Sequence, residues 1–86
     1  ALGLVNRVVA EDAVLETAIA MADSIAASAP LSVTASLDLA RRALDHDEAA
    51  LWALSDQHAQ RVMRSADAVE GATAFIQKRA PNWTGA

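Results

Sequence analysis

The scarcity of large side chains constrains this chain more than any other feature. Twenty-two of its 86 residues are alanine, and Trp52, Phe75 and Trp83 are its only aromatics. Burying a CH₂-sized group contributes only ~0.8 kcal/mol, so alanine faces build little core. A ~60-residue domain buries only about 60% of its unfolded surface and is marginally stable. A chain of this make-up is expected to pack on a partner surface, and its small residues let helices approach closely. The length allows one domain at most. Cysteine is absent, which excludes disulfides and cysteine–zinc sites.

Charge and hydropathy narrow the classes further. Seven Lys and Arg face eleven Asp and Glu, for a net charge of −4. That balance argues against nucleic acid, whose phosphates each call for a cation. The longest apolar runs, such as Ala18 to Ala22, are about five residues against the ~20 of a membrane span. Arg7, Glu11 and Asp12 interrupt the opening stretch, so no signal peptide is read there. A cytoplasmic location is the expectation. The chain opens on Ala-Leu-Gly-Leu-Val without a Met, which reads as a piece of a longer fold.

The pattern predicts an all-α segment, about four helices after one short strand. Residues 4–9, rich in β-branched side chains, read as the strand, with Gly3 suited to a helix cap before it. The first helix spans about 12–28. Asp12 is its candidate cap, and Val14, Ala18, Met21 and Ile25 form its stripe. The second starts at Pro30, a favoured first helical residue, and ends near Asp45. Its stripe is Val33, Leu37, Ala40 and Leu44. The third spans about 48–64, capped by Asp47, with Leu51, Leu54, His58 and Val62 near one face. The fourth begins at Asp67, where Asp67 to Glu70 reads as an acidic capping box. Ala72, Phe75 and Ile76 supply its apolar face, and Pro81 ends it.

Few groupings carry chemistry. Asp45-His46-Asp47-Glu48 holds ligand-type residues, but consecutive positions point around a junction and read as a solvated, capping turn. Ser55, Asp56 and His58 are the residue types of a hydrolase triad, yet position 56 faces away from 55 and 58 on a helix. His58 reads instead as a half-buried histidine in a helix contact. Glu11 with Asp12 suits a positive helix start. Phe75 and Lys78 share a helix face at i, i+3 spacing. A ring beside an ammonium suits a nucleotide, base on ring and phosphate on cation. The other reading makes Phe75 core, with Lys78 and Arg79 complementing the helix dipole. Trp83 reads as an anchor for the tail.

Four stretches, in order, resemble the C-terminal third of the crotonase superfamily, the enoyl-CoA hydratase/isomerase family. They are Gly3 to Val9, Ala29-Pro30-Leu31, Ser65 to Gly71, and Ala74 to Pro81. The resemblance spans essentially all 86 residues. It implies that residues 1–10 close the core spiral of an α/β parent and that 11–86 form its C-terminal helical trimerisation and CoA-site region. The implied partners are the N-terminal crotonase core, a homo-trimer or hexamer, and an acyl-CoA thioester as substrate, with no other cofactor. Family chemistry uses glutamates around a water and a two-amide oxyanion hole, in segments that have no counterpart among these motifs, so no catalytic residue is assigned here. The resemblance implies that Phe75, Lys78 and Arg79 contact CoA, and that Met63 approaches the acyl pocket of a neighbouring subunit. The reaction stays open among hydratase, isomerase and hydrolase, and a helical assembly module without chemistry is the competing reading.

Overall fold

A computed structural model describes residues 2–86; Ala1, the first residue of the 1–10 segment, lies outside the described residues. A short 3₁₀ turn, Glu11–Ala13, leads into four helices: α1 (Val14–Ala26), α2 (Pro30–Arg42), α3 (Glu48–Met63) and α4 (Ala66–Gln77). Among the described residues no helix is long and apolar enough to cross a membrane.

The strand expected over residues 4–9 is absent. The segment has no regular structure and its side chains are exposed. β-Branched residues favour an extended backbone, but a strand exists only through ladder bonds to a neighbour. No such neighbour occurs among the described residues. Instead Val5, Val8 and Val9 line a shallow groove with Val14, Thr17 and Met21 of α1. Asp12 does not cap α1 either. The turn is closed by the backbone, Ala13 N–H to the Ala10 carbonyl at 2.9 Å, and neither turn nor helix has a side-chain cap.

Pro30 opens α2 as predicted, after the chain turns through 113° between α1 and α2. The helix ends at Arg42, so Leu44 falls beyond it and is 99% exposed. The stripe that meets α3 is not Val33, Leu37, Ala40 and Leu44. Leu31, Ser32, Val33, Ala35, Asp38 and Leu39 are the half-buried positions, and of these Leu31, Ala35 and Leu39 line the seam with His58 and Val62. With so many small residues α2 carries two apolar faces, and Val33 and Leu37 look onto an open groove with Ile25. On α3 the expected face holds: Leu51, Leu54, His58 and Val62 are all half-buried.

A polar lock joins this helical hairpin. Asp38 accepts from His58 Nε2 at 2.9 Å and from Arg42 Nε at 2.8 Å. The Arg42 guanidinium, then His58, hold the Asp38 carboxyl below its usual range. His58 is thus a helix-contact histidine, and the carboxylate it meets is not Asp56. Asp47 caps α3 as expected, its carboxylate accepting from Ala50 N–H at 2.8 Å.

α4 departs most from expectation. Ser65, not Asp67, is its cap, the hydroxyl accepting from Ala68 N–H at 3.1 Å. Phe75 and Ile76 are 85% and 78% exposed rather than packed inward. The covered side carries Asp67 and Ala74, the only buried side chains among the described residues. Gly71 lies between them, and the Trp83 indole lies over it.

The whole remains open. Its accessible surface is 7036 Å² and its radius of gyration 16.3 Å. A compact monomer of this size exposes about 4,900 Å² and has a radius near ~12 Å.

The Trp83–Gly71 contact predicts a background-dependent mutation. A Cβ added at Gly71 stands 3.1 Å from Trp83 Cη2 and 3.3 Å from Cζ3. In a Trp83→Ala background, Gly71→Ala gains about 1 kcal/mol from helix propensity. With Trp83 present the gain shrinks or reverses in chemical denaturation. Equal gains in both backgrounds would show that the indole does not sit there.

Candidate functional site

The candidate site is the C-terminal end of α4 and the turn that follows. The helix closes in a Schellman motif: Arg79 N–H reaches the Ala74 carbonyl at 3.1 Å and Lys78 N–H the Phe75 carbonyl at 3.2 Å. The motif demands a left-handed residue, and that residue is Lys78, at φ 52° and ψ 43°. Glycine usually fills this place, and another residue there is strained by roughly 1–2 kcal/mol.

Lys78 and Phe75 both face solvent. Among the described residues the ion pairs are Arg42–Asp38, His58–Asp38 and Arg79–Glu70, so Lys78 belongs to none of them. A ring and an ammonium therefore stand free at one helix end.

Arg79 is differently placed. Its Nη1 and Nη2 grip the Glu70 carboxylate at 2.6 and 3.1 Å, Nε bonds Gln77 Oε1 at 2.7 Å, and Nη1 also reaches the Ala80 carbonyl at 3.1 Å. Four of its five N–H groups are taken. Glu70 also accepts from Asn82 N–H at 2.9 Å. Arg79 first, then the Asn82 amide, pull the Glu70 carboxyl from 4.5 down to about 2.

One turn earlier, Asp67 receives the tail. It accepts from Thr84 N–H at 2.8 Å, the Thr84 hydroxyl at 2.9 Å and Gly85 N–H at 2.8 Å. These bonds, the Thr84 amide foremost, lower its pKa against the cost of burial. Trp83 Nε1 donates to the Ala27 carbonyl at 2.9 Å, tying the tail to the turn between α1 and α2. The tail thus runs back along α4, as its tryptophan anchor suggested.

Phe75, Lys78 and Arg79 therefore lie together. Met63 does not join them. It ends α3, 74% exposed, and lines the groove between α2 and α3. The roles of Asp67 and Glu70 toward the tail escaped the sequence reading. The available signal was a second acid one turn after the first, followed beyond Pro81 by a short polar tail free to fold back.

These elements define a class: a helical segment that buries almost nothing of its own and presents its free chemistry at one helix end. The family model for enoyl-CoA hydratase/isomerase matches residues 1–86. The chain belongs to that family, which is one of enzymes. A carnitinyl-CoA dehydratase of Proteus mirabilis is 39% identical over 96% of this chain and 33% of its own length. Enoyl-CoA hydratase EchA19 of Mycobacterium tuberculosis is 38% identical over 95% of this chain and 31% of its own. Among solved structures, an enoyl-CoA hydratase from Mycobacterium tuberculosis superposes with a TM-score of 0.90 at 36% identity, over 99% of this chain and 34% of that one. The chain spans about a third of the length of these relatives and matches their C-terminal helical portion.

The clasp has a pH signature. Glu70 is depressed in the folded state, so its contribution to tail docking is complete above pH 4.5 and is lost as the pH falls toward 2. The Asn82 amide-proton shift, followed by NMR, reports this carboxyl directly. It titrates with a midpoint near 2; a midpoint near 4.5 would show that neither Arg79 nor the amide holds it.

Proposed function

We propose that this chain is the C-terminal part of an enzyme that adds water to, or removes it from, a CoA thioester of the trans-2-enoyl type. Its own work is oligomerisation, closure of the active site and contact with CoA. The acids and oxyanion donors that such a reaction needs lie elsewhere in the enzyme, and this segment alone is inactive. The names of the relatives support hydratase chemistry over isomerase or hydrolase: one is a dehydratase and the other a hydratase of a CoA thioester. Water addition and removal are one reaction read in two directions.

The observation that carries the assembly role is the uncovered apolar surface. The accessible area exceeds that of a compact monomer by roughly 2,000 Å², the scale of a stable protein interface. Val14, Leu15, Ile19, Ile25 and Leu37 are all about half exposed or more. These faces suit the enzyme's N-terminal core and the neighbouring subunits of a trimer or hexamer.

Phe75 and Lys78 are the proposed CoA contacts, the ring against the adenine and the ammonium against a phosphate. Their exposure and their lack of partners support the reading. Arg79, with four of its five donors engaged and its charge paired with Glu70, acts on CoA by holding this turn. Met63, flexible and exposed, is proposed to reach the acyl pocket of a neighbouring subunit.

Two substitutions at one residue test the reading in the assembled enzyme. Lys78→Ala raises KM for a trans-2-enoyl-CoA about three- to ten-fold with little change in kcat, as loss of uniform binding does. Lys78→Gly raises KM alike, yet leaves stability unchanged or higher by up to ~1 kcal/mol, because glycine relieves the left-handed strain. An unchanged KM at low salt in both variants would remove Lys78 from the site.

A further inference from the structure

We propose that Glu70 is a positioning residue for CoA recognition, acting through Arg79 to aim Lys78. This rests on the proposed contact between Lys78 and CoA and goes beyond it. Lys78 is bracketed on both sides. The residue before it, Gln77, and the residue after it, Arg79, are joined by their side chains at 2.7 Å across it. Arg79 is in turn held by both oxygens of Glu70, and one of those oxygens also fixes Asn82 N–H. A carboxylate two turns back along α4 thus braces the turn on which the lysine stands.

The Schellman bonds set the Lys78 and Arg79 amides, but alone they leave the chain beyond, Ala80 to Asn82, and the Arg79 side chain free to swing and to pull on that turn. A flexible lysine stem amplifies any such swing at its ammonium. The rest of the tail does not depend on Glu70: Asp67 holds Thr84 and Gly85, and Trp83 holds the Ala27 carbonyl. Removing the Glu70 charge therefore loosens the turn while the tail stays docked. An aim defect, unlike a folding defect, acts only on the part of the substrate that Lys78 touches.

The test compares two substrates in the full-length, assembled enzyme: trans-2-butenoyl-CoA and the pantetheine thioester of the same acid, which lacks the nucleotide and its phosphates. The readout is the ratio of kcat/KM between them. Glu70→Gln lowers this preference for the CoA ester about three- to ten-fold, the scale of a weakened charge-assisted hydrogen bond. Arg79→Lys, which keeps the charge but loses the two-pronged grip, lowers it similarly and serves if Glu70→Gln fails to fold. Adding either change to Lys78→Ala produces no further loss.

The outcomes separate the two levels of the reading. If Lys78→Ala leaves the preference intact, the CoA contact itself fails, and this inference with it. If Lys78→Ala lowers the preference and Glu70→Gln and Arg79→Lys leave it intact, only the positioning role is overturned. Losses that add to that of Lys78→Ala overturn it too, as does a drop in kcat/KM that is equal for both substrates.

Discussion

A helix can hide an apolar stripe only if another surface is available to cover it, and this chain supplies too little surface to cover its own. Ala74 is the sole buried apolar side chain among the described residues. Helices made of alanine and a few isolated large residues gain little by packing on each other, since each alanine contributes about one methyl group. The large residues instead end up facing outward, along α1 and on α4, with Leu37 on α2. Their exposure follows from the composition, and the open shape follows from their exposure. The relatives are about three times longer, and on the proposed reading the missing cover is the rest of such a fold.

With so little apolar burial, the contacts that define the chain's own shape are largely polar and ionic. Asp38 ties α2 to α3, Asp67 draws the tail onto α4, and Glu70 pins the turn between them. Each carboxylate accepts two or three hydrogen bonds. Bonds to a charged acceptor are roughly twice as strong as neutral ones, and amides aimed at a carboxylate need no apolar bulk around them. Gly71 completes the arrangement by omitting a side chain where the indole of Trp83 approaches. The tail is therefore held by direction and charge where a richer sequence would use volume.

This division explains what could be read from residues alone. The four helices were legible because their signals are local: Pro30 at a first helical position, Asp47 at a cap, the Leu51–Leu54–His58–Val62 face. The inward face of α4 was not legible. Phe75 and Ile76 look like core by hydrophobicity, and the covered side holds an aspartate, a glycine and an alanine. Nothing local tells Asp67 that its partners are Thr84 and Gly85; the same residue in the same window is a plausible cap, and Ser65 two positions earlier takes that role. The strand over residues 4–9 failed for a related reason. Its propensity is local, but its existence depends on a neighbour elsewhere. Of the candidate site, the presence of Phe75 and Lys78 at one helix end was legible, but not that Lys78 lies beyond α4 in a left-handed conformation, off the helical face the spacing implied. The occupation of Arg79 by Glu70 was not, because it depends on a turn that the helix pattern does not specify.

Lys78 is where these threads meet. A lysine in a left-handed cap is a local cost that glycine would remove, and the surrounding bonds do not need its side chain. Stability therefore gives no reason for a lysine at this position, which fits the proposed contact between its ammonium and a phosphate. The structure around it holds it in place: a Schellman motif that fixes the backbone, a side-chain bond between the residues on either side of it, and a carboxylate holding the next residue by both oxygens. A freely mobile surface lysine would need none of these. The proposed phosphate contact draws on all of them, because a point charge on a long flexible stem gains selectivity when its base is held still.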